Sequence, residues 1–216
     1  MAILIARHGE TALNVAGIVQ PVDTALSPRG LEQADALGAR LAREFRVVTI
    51  VTSDLRRARQ TALQVATHLG CAIEASPDWR ERDFGALRGR AYGSLGFNPI
   101  TMAEAPPGGE SLAAFETRVA RACEALAARM IRLTDARVDQ PAPNGDLLLV
   151  THGLVVRQLL AAHIDGGTAS LGSGPPANAS LVVAEVVGGQ LRLALGPCTS
   201  HLEQVPPQAR DGVIGV

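Results

Sequence analysis

The chain of 216 residues is 47% hydrophobic but only 3% aromatic, so it is long enough for one sizeable core, and that core must be built from Ala, Leu, Val and Ile. Twenty basic residues, every one of them Arg, stand against 21 acidic ones for a formal charge of -1. That balance excludes recruitment of nucleic acid or an anionic membrane by a global field.

In chain order, Ala2–Ala6 (AILIA) reads as a short buried strand. No basic segment precedes it, so neither a signal peptide nor an anchor is expected. From Ser27 the period changes: Leu31, Ala34, Leu37, Leu41 and Phe45 recur at helical spacing, with Ser27 as N-cap and Pro28 at the first helical position. The β-branched run Val47–Ser53 predicts a second strand. Leu55–Gly70 predicts a helix stopped by its glycine, and Cys71–Ala75 (CAIEA) a third strand. Residues 76–110 read as irregular. Leu112, Phe115, Val119, Ala122, Leu126, Met130 and Leu133 then mark a long amphipathic helix.

After a loop over Gln140–Asp146, Leu147–Thr151 predicts a fourth strand and Leu154–Ile164 a helix. A Gly/Pro/Ser loop covers 166–177. Ser180–Val187, the Gly188-Gly189 turn and Gln190–Leu195 predict a β-hairpin, followed by an irregular tail from Pro197. The alternation implies an α/β fold, a three-layer sandwich with a largely parallel central sheet and helices on both faces. Without repeats or linkers it reads as a single domain over 1–216, with 82–110 as a substrate-side insert and 197–216 as a tail. Cys71, Cys123 and Cys198 are too scattered for a metal site, and reduced thiols in a cytoplasmic protein fit them. No segment is apolar for the roughly 20 residues a membrane helix needs.

Open α/β sheets bind ligands beyond the carboxyl ends of their strands. Arg7 and His8 follow the first strand, Ser53, Arg56, Arg57 and Arg59 the second, and Thr151, His152 and Gly153 the fourth. Two histidines and at least one arginine should therefore meet at one sheet edge. Neither histidine has a metal-site spacing, and arginine beside them would oppose a cation. Arginine suits a phosphate, and by like-charge repulsion it keeps a nearby imidazole neutral and nucleophilic. No GxxxxGK[ST] loop is present, so nucleotide-triphosphate chemistry is not indicated. Covalent phosphoryl transfer fits this set.

The motifs resemble those of the histidine phosphatase superfamily, branch 1, the phosphoglycerate mutase-like proteins. "ARHGETALN" is similar to the family's first signature, and "QPVDTALSPRGLEQADALG", "TSDLRRARQTA", "WRERDFGALRG", "PPGGES" and "VTHG" follow in the family's order across residues 3–182. The resemblance implies that His8 is the nucleophile that becomes phosphohistidine. It implies that Arg7, Arg57 and His152 hold the phosphoryl group, and that Glu81 is the proton donor. Asn14, Gln20, Gly153 and Arg82 are expected near the phosphate or the substrate. Pro21 stands where the family usually has glycine, which removes a backbone donor beside Gln20.

The expected activity is a metal-independent phosphomonoester hydrolase, with no cofactor, acting on a small phosphorylated metabolite; a homodimer is compatible with the sequence. A phosphoglycerate mutase is the alternative, and so is a non-catalytic phosphate-binding protein. Mutases of the family carry an arginine pair for the substrate carboxylate; this chain reads "GGES" there.

Overall fold

The computed structural model describes residues 1–134, 145–203 and 205, without the side chains of 132–134. Leu133 and most of the loop read over Gln140–Asp146 thus lie outside the described side chains, as does most of the tail.

Among the described residues seven strands form one sheet: β1 Ala2–Arg7, β2 Val47–Ser53, β3 Ile73–Ser76, β4 Asp146–Thr151, β5 Ile164–Asp165, β6 Leu181–Val187 and β7 Gln190–Cys198. Their order is β3-β2-β4-β1-β6-β7-β5. Parallel ladders join β3, β2, β4 and β1, while β6 runs antiparallel to both β1 and β7. The helices are α1 Ala12–Val15, α2 Pro28–Glu44, α3 Arg56–Leu69, α4 Leu112–Thr134 and α5 Gly153–Ala162.

Because strand side chains alternate between faces, the unbroken apolar runs of β1 and β4 feed two cores. Ile3, Ile5, Leu147 and Leu149 pack with Phe115, Val119 and Met130 of α4 and Val155 and Leu159 of α5. Leu4, Ala6, Leu148 and Val150 pack on the other face with Leu37 and Leu41 of α2 and Ala58, Ala62 and Val65 of α3. This is the expected three-layer arrangement. Truncating a fully buried leucine such as Leu37 to Ala in such a core costs about 2–5 kcal/mol.

The helix ends follow their sequence signals. The Ser27 side chain accepts from Gly30 N at 3.0 Å with Pro28 at the first position, and Gly70 closes α3 in the left-handed region at φ 65°. Cys71, Cys123 and Cys198 are free thiols.

Five local expectations change. The helix read to Ile164 ends at Ala162, and Ile164 and Asp165 pair with Leu191 and Arg192 as β5. The third strand begins at Ile73, not Cys71. β7 continues past Leu195 to Cys198, which pairs with Leu181, and Ser200–Leu202 adds a 3-10 turn to the tail. Single 3-10 turns punctuate the irregular stretch at Pro77–Trp79, Gly85–Leu87 and Tyr92–Ser94. The short α1 was not anticipated, although Thr11 and Asn14 form a reciprocal capping box over it.

Candidate active site

Strand register brings the two histidines together. Arg7 pairs with Thr151 at the ends of β1 and β4, and His8 N donates to the Thr151 carbonyl at 2.9 Å. His8 and His152 therefore leave adjacent strands side by side, their ring centroids 5.1 Å apart and both rings buried.

The loop carrying His8 is pinned from several sides. Gly9 N donates to Thr61 Oγ1 at 3.0 Å, Glu10 N to Gln33 Oε1 at 2.8 Å, and Ser27 N to the Glu10 carbonyl at 2.9 Å. Two glycines permit this approach. A Cβ on Gly9 would run into the Gly30 carbonyl, and one on Gly30 into the Glu10 carbonyl. The RHG and PRG glycines thus exist for each other.

The His8 tautomer follows from its partner. Nδ1 stands 2.7 Å from the Gly9 carbonyl, which can only accept, so Nδ1 carries the proton and Nε2 keeps its lone pair. Burial, then Arg57 and Arg7, push His8 well below the ordinary histidine value, against a smaller opposing effect of the Gly9 carbonyl. His152 is lowered in the same way by burial, Arg57, His8 and Arg7. Its Nε2 lies 2.8 Å from Ser53 Oγ, which itself accepts from Leu55 N at 3.3 Å. The hydroxyl keeps both a proton and a second lone pair for Nε2, so the direction of this bond depends on the His152 tautomer; when the hydroxyl donates, the His152 proton sits on Nδ1. That nitrogen is buried without a protein partner.

Two arginines complete the set. Arg7 Nη1 donates to the Pro176 carbonyl at 2.6 Å, and Arg57 Nη1 to the Pro21 carbonyl at 3.2 Å. Burial lowers both, Arg57 to about 10. Each keeps a buried Nε without a partner. Arg7 Nε and Arg57 Nε are thus two buried donors still owed an acceptor, and His152 Nδ1 is a third buried nitrogen without a partner, beside a histidine with an open lone pair. Among the described residues no group of three or more His, Cys, Asp or Glu side chains is grouped to hold a metal ion.

Glu81 faces the same cavity. Its carboxylate oxygens accept from Arg82 N and from Leu154 N in the first turn of α5, both at 3.0 Å. Those bonds, with Arg57 and Arg7, favour the charged form, but burial outweighs them and raises its pKa above the usual glutamate value.

The remaining expected residues separate. Asn14 and Gln20 line the cavity. Asn14 Oδ1 accepts from Thr11 N and Thr11 Oγ1, each at 3.1 Å, and from Asn178 Nδ2 at 3.2 Å, which leaves its amide nitrogen for a ligand. Gln20 Oε1 lies 3.0 Å from Thr11 Oγ1 and competes with Asn14 Oδ1 for its single hydroxyl proton. Gly153 backs the Arg7 guanidinium, where a Cβ would press on Pro175. Pro21 contributes a carbonyl to Arg57 in place of the lost donor.

Arg82 departs from its expected substrate contact. It is buried, and its guanidinium donates to the carbonyls of Glu110, Pro99, Ile100, Met102 and Glu104 at 2.7–3.4 Å. It ties the insert together, because a planar fork can serve several carbonyls at once.

Two contributors go beyond the sequence reading: Asn178 has no sequence signal that singles it out, and Ser53, read at the end of the second strand, gains its partner only in the fold. Asn178 Nδ2 holds the carbonyls of His8 at 3.1 Å and Gly9 at 3.3 Å, and Ser53 orients His152. Only the placement of β6 beside β1 brings Asn178 here.

A family model described as "Histidine phosphatase superfamily (branch 1)" matches residues 3–196. The chain belongs to that superfamily. The metal-independent phosphoserine phosphatase of Arabidopsis thaliana is 34% identical over 73% of this chain and 66% of its own length. A probable phosphoglycerate mutase of Erwinia tasmaniensis is 30% identical over 74% of each. Among solved structures, a mycobacterial glucosyl-3-phosphoglycerate phosphatase superposes with a TM-score of 0.71 at 27% identity, covering 91% of this chain and 98% of that one. Membership and the phosphatase names among these relatives support a phosphatase. No helix among the described residues is long and apolar enough to cross a membrane.

Proposed function

We propose that the protein hydrolyses small phosphomonoesters without a metal ion, through a phosphohistidine on His8. The observation that carries this reading is the His8 tautomer, an open Nε2 lone pair beside the buried Nε donors of Arg7 and Arg57, which have no protein acceptor. Arg7, Arg57 and His152 hold the phosphoryl oxygens and take up the charge that develops on them. His8 Nε2 attacks phosphorus as the bond to the leaving oxygen breaks, and Glu81 hands its proton to the departing alkoxide, releasing the alcohol. Water then attacks the phosphohistidine and gives a proton back to Glu81. The N–P bond breaks, inorganic phosphate leaves, and the His8 lone pair is restored. A raised Glu81 pKa and a lowered His8 pKa suit an acid and a nucleophile working together near neutral pH.

A rapid-quench experiment with 32P-labelled phenyl phosphate, in excess EDTA, tests this. Wild type should give an acid-labile, base-stable phosphoprotein, and His8→Ala should give none and lose at least about three orders of magnitude in turnover. Labelling of the variant, or activity that EDTA removes and a divalent metal restores, would overturn the mechanism. Transfer of the label to phosphoglycerate in preference to water would favour the mutase.

A further inference from the structure

Beyond the phosphate end, the cavity changes character. It encloses about 330 Å3, at the small end of ligand pockets, and its walls are Ile18, Val22, Phe84, Tyr92, Ile100 and Leu154. Tyr92 is held there because the insert pairs with the loop before it: Val19 N donates to the Arg90 carbonyl, Gly89 N to that of Val19, and Tyr92 N to that of Gly17. Val22 and Tyr92 are still 43% and 37% exposed, so apolar surface remains to be covered at the mouth.

The charges around those walls are already used. Besides Arg7 and Arg57, three arginines line the cavity, Arg80, Arg82 and Arg88. Arg80 grips Asp54 with two bonds of 2.6 and 2.5 Å. Arg82 serves its five carbonyls. Arg88 pairs with Asp83 at 2.6 Å. The Asp83 carboxylate holds Arg88 through one Nη, so a ligand carboxylate that reached the rest of that guanidinium would lie beside Asp83, and the repulsion would offset its attraction to the arginine.

From this apolar wall ringed by committed arginines we infer that the preferred substrate is the phosphate ester of an uncharged, largely apolar alcohol, and that esters of hydroxy acids and amino acids are disfavoured. Tyr92 and Phe84 cover the alcohol's hydrocarbon, and the Asp83–Arg88 pair is the determinant that turns a second anion away. This inference rests on the phosphatase reading and narrows it.

The test compares n-butyl phosphate with 4-phosphonooxybutanoate, the same chain ending in a carboxylate, with p-nitrophenyl phosphate as a common reference. Wild type should favour the butyl ester by about tenfold or more in kcat/KM. Asp83→Asn keeps an acceptor for the Gly85 N–H that the Asp83 side chain now bonds at 2.8 Å, while releasing Arg88. It should raise kcat/KM for the carboxylate ester severalfold and leave the butyl ester within about twofold, the sign expected when a like charge is removed. Equal or better use of the carboxylate ester by wild type would overturn the inference with the phosphatase intact, as would an unchanged ratio in Asp83→Asn. Turnover of none of the three esters would remove the phosphatase reading itself.

Discussion

The phosphate end and the mouth of this cavity are built by opposite means. At the phosphate end, β1, β2 and β4 deliver His8, His152, Arg7 and Ser53 from strand termini whose register is fixed by ladders, and Arg57 follows on the first turn of α3. At the mouth, residues 82–110 contain short 3-10 turns and one isolated bridge, Ala91 to Ile18, and are gathered around one side chain, Arg82. The sheet supplies geometry that loop variation cannot disturb, and the insert supplies a surface that can change without moving the reacting atoms. Chemistry and selectivity should therefore be separable by mutation.

Glu81 sits where the two regions meet, and its replacement should give the largest selective effect. Glu81→Gln should slow hydrolysis of alkyl phosphates by about 10²–10⁴-fold, the range for a positioned general acid. Release of p-nitrophenolate in the pre-steady-state burst should change little, since that anion leaves without a proton. For alkyl esters the wild-type rate should fall as pH rises through the raised Glu81 pKa, because the acid must be protonated in the first step. The variant should lack that limb. Equal losses on both ester types would reassign Glu81 to positioning.

Within the phosphate end, arginines only one or two residues apart should differ sharply. Arg57 is buried with its guanidinium toward the donors around His8, whereas Arg56 is exposed and pairs with Asp23 at 3.5 Å, and Arg59 is exposed. Arg57→Ala should cost about 2–4 kcal/mol of transition-state stabilisation, roughly a hundredfold in rate. Arg56→Ala and Arg59→Ala should stay within about threefold, since exposed charges of this kind contribute about 0–1 kcal/mol. Steady-state rates on one ester decide it. A larger loss for Arg56→Ala would mean that the helix presents a different face to the phosphate.

The same contrast governs what could be read from the residues. His8 and His152 were legible because each stands just past an apolar run whose end is visible, and parallel strands put such ends on one edge, whereas Arg57 was separated from Arg56 and Arg59 only by its match to the family's motif. The carbonyls of Gly9, Pro21 and Pro176 were not, because every residue has one and only tertiary placement selects these. Asn178 is one polar residue just past a Gly/Pro/Ser-rich loop, informative only once β6 is known to lie beside β1. Two-residue β5 has no periodicity to detect. Arg82 was misread for a related reason: an arginine in an irregular stretch looks the same whether its fork meets a phosphate or five carbonyls.

Arg82 consequently provides the most direct test of separability. Arg82→Leu fills much of the same space but withdraws every donor from the carbonyls of Glu110, Pro99, Ile100, Met102 and Glu104. Some of these would regain water, so the net loss should be near that of one or two charged hydrogen bonds, about 2–4 kcal/mol, and should appear as a lower Tm. The insert should become more open to proteolysis between residues 95 and 110. Its walls would be poorly formed, so KM for alkyl phosphates should rise severalfold. The burst rate of p-nitrophenyl phosphate at saturation should stay within about threefold, because His8 and its donors stand on the sheet. Arg82→Lys should recover only part of the stability, since one ammonium has three donors and no planar fork. If Arg82→Leu instead kept its Tm and KM and lost phosphorylation of His8, the guanidinium would belong to the phosphate end after all, and the division between sheet and insert would fail at its anchoring residue.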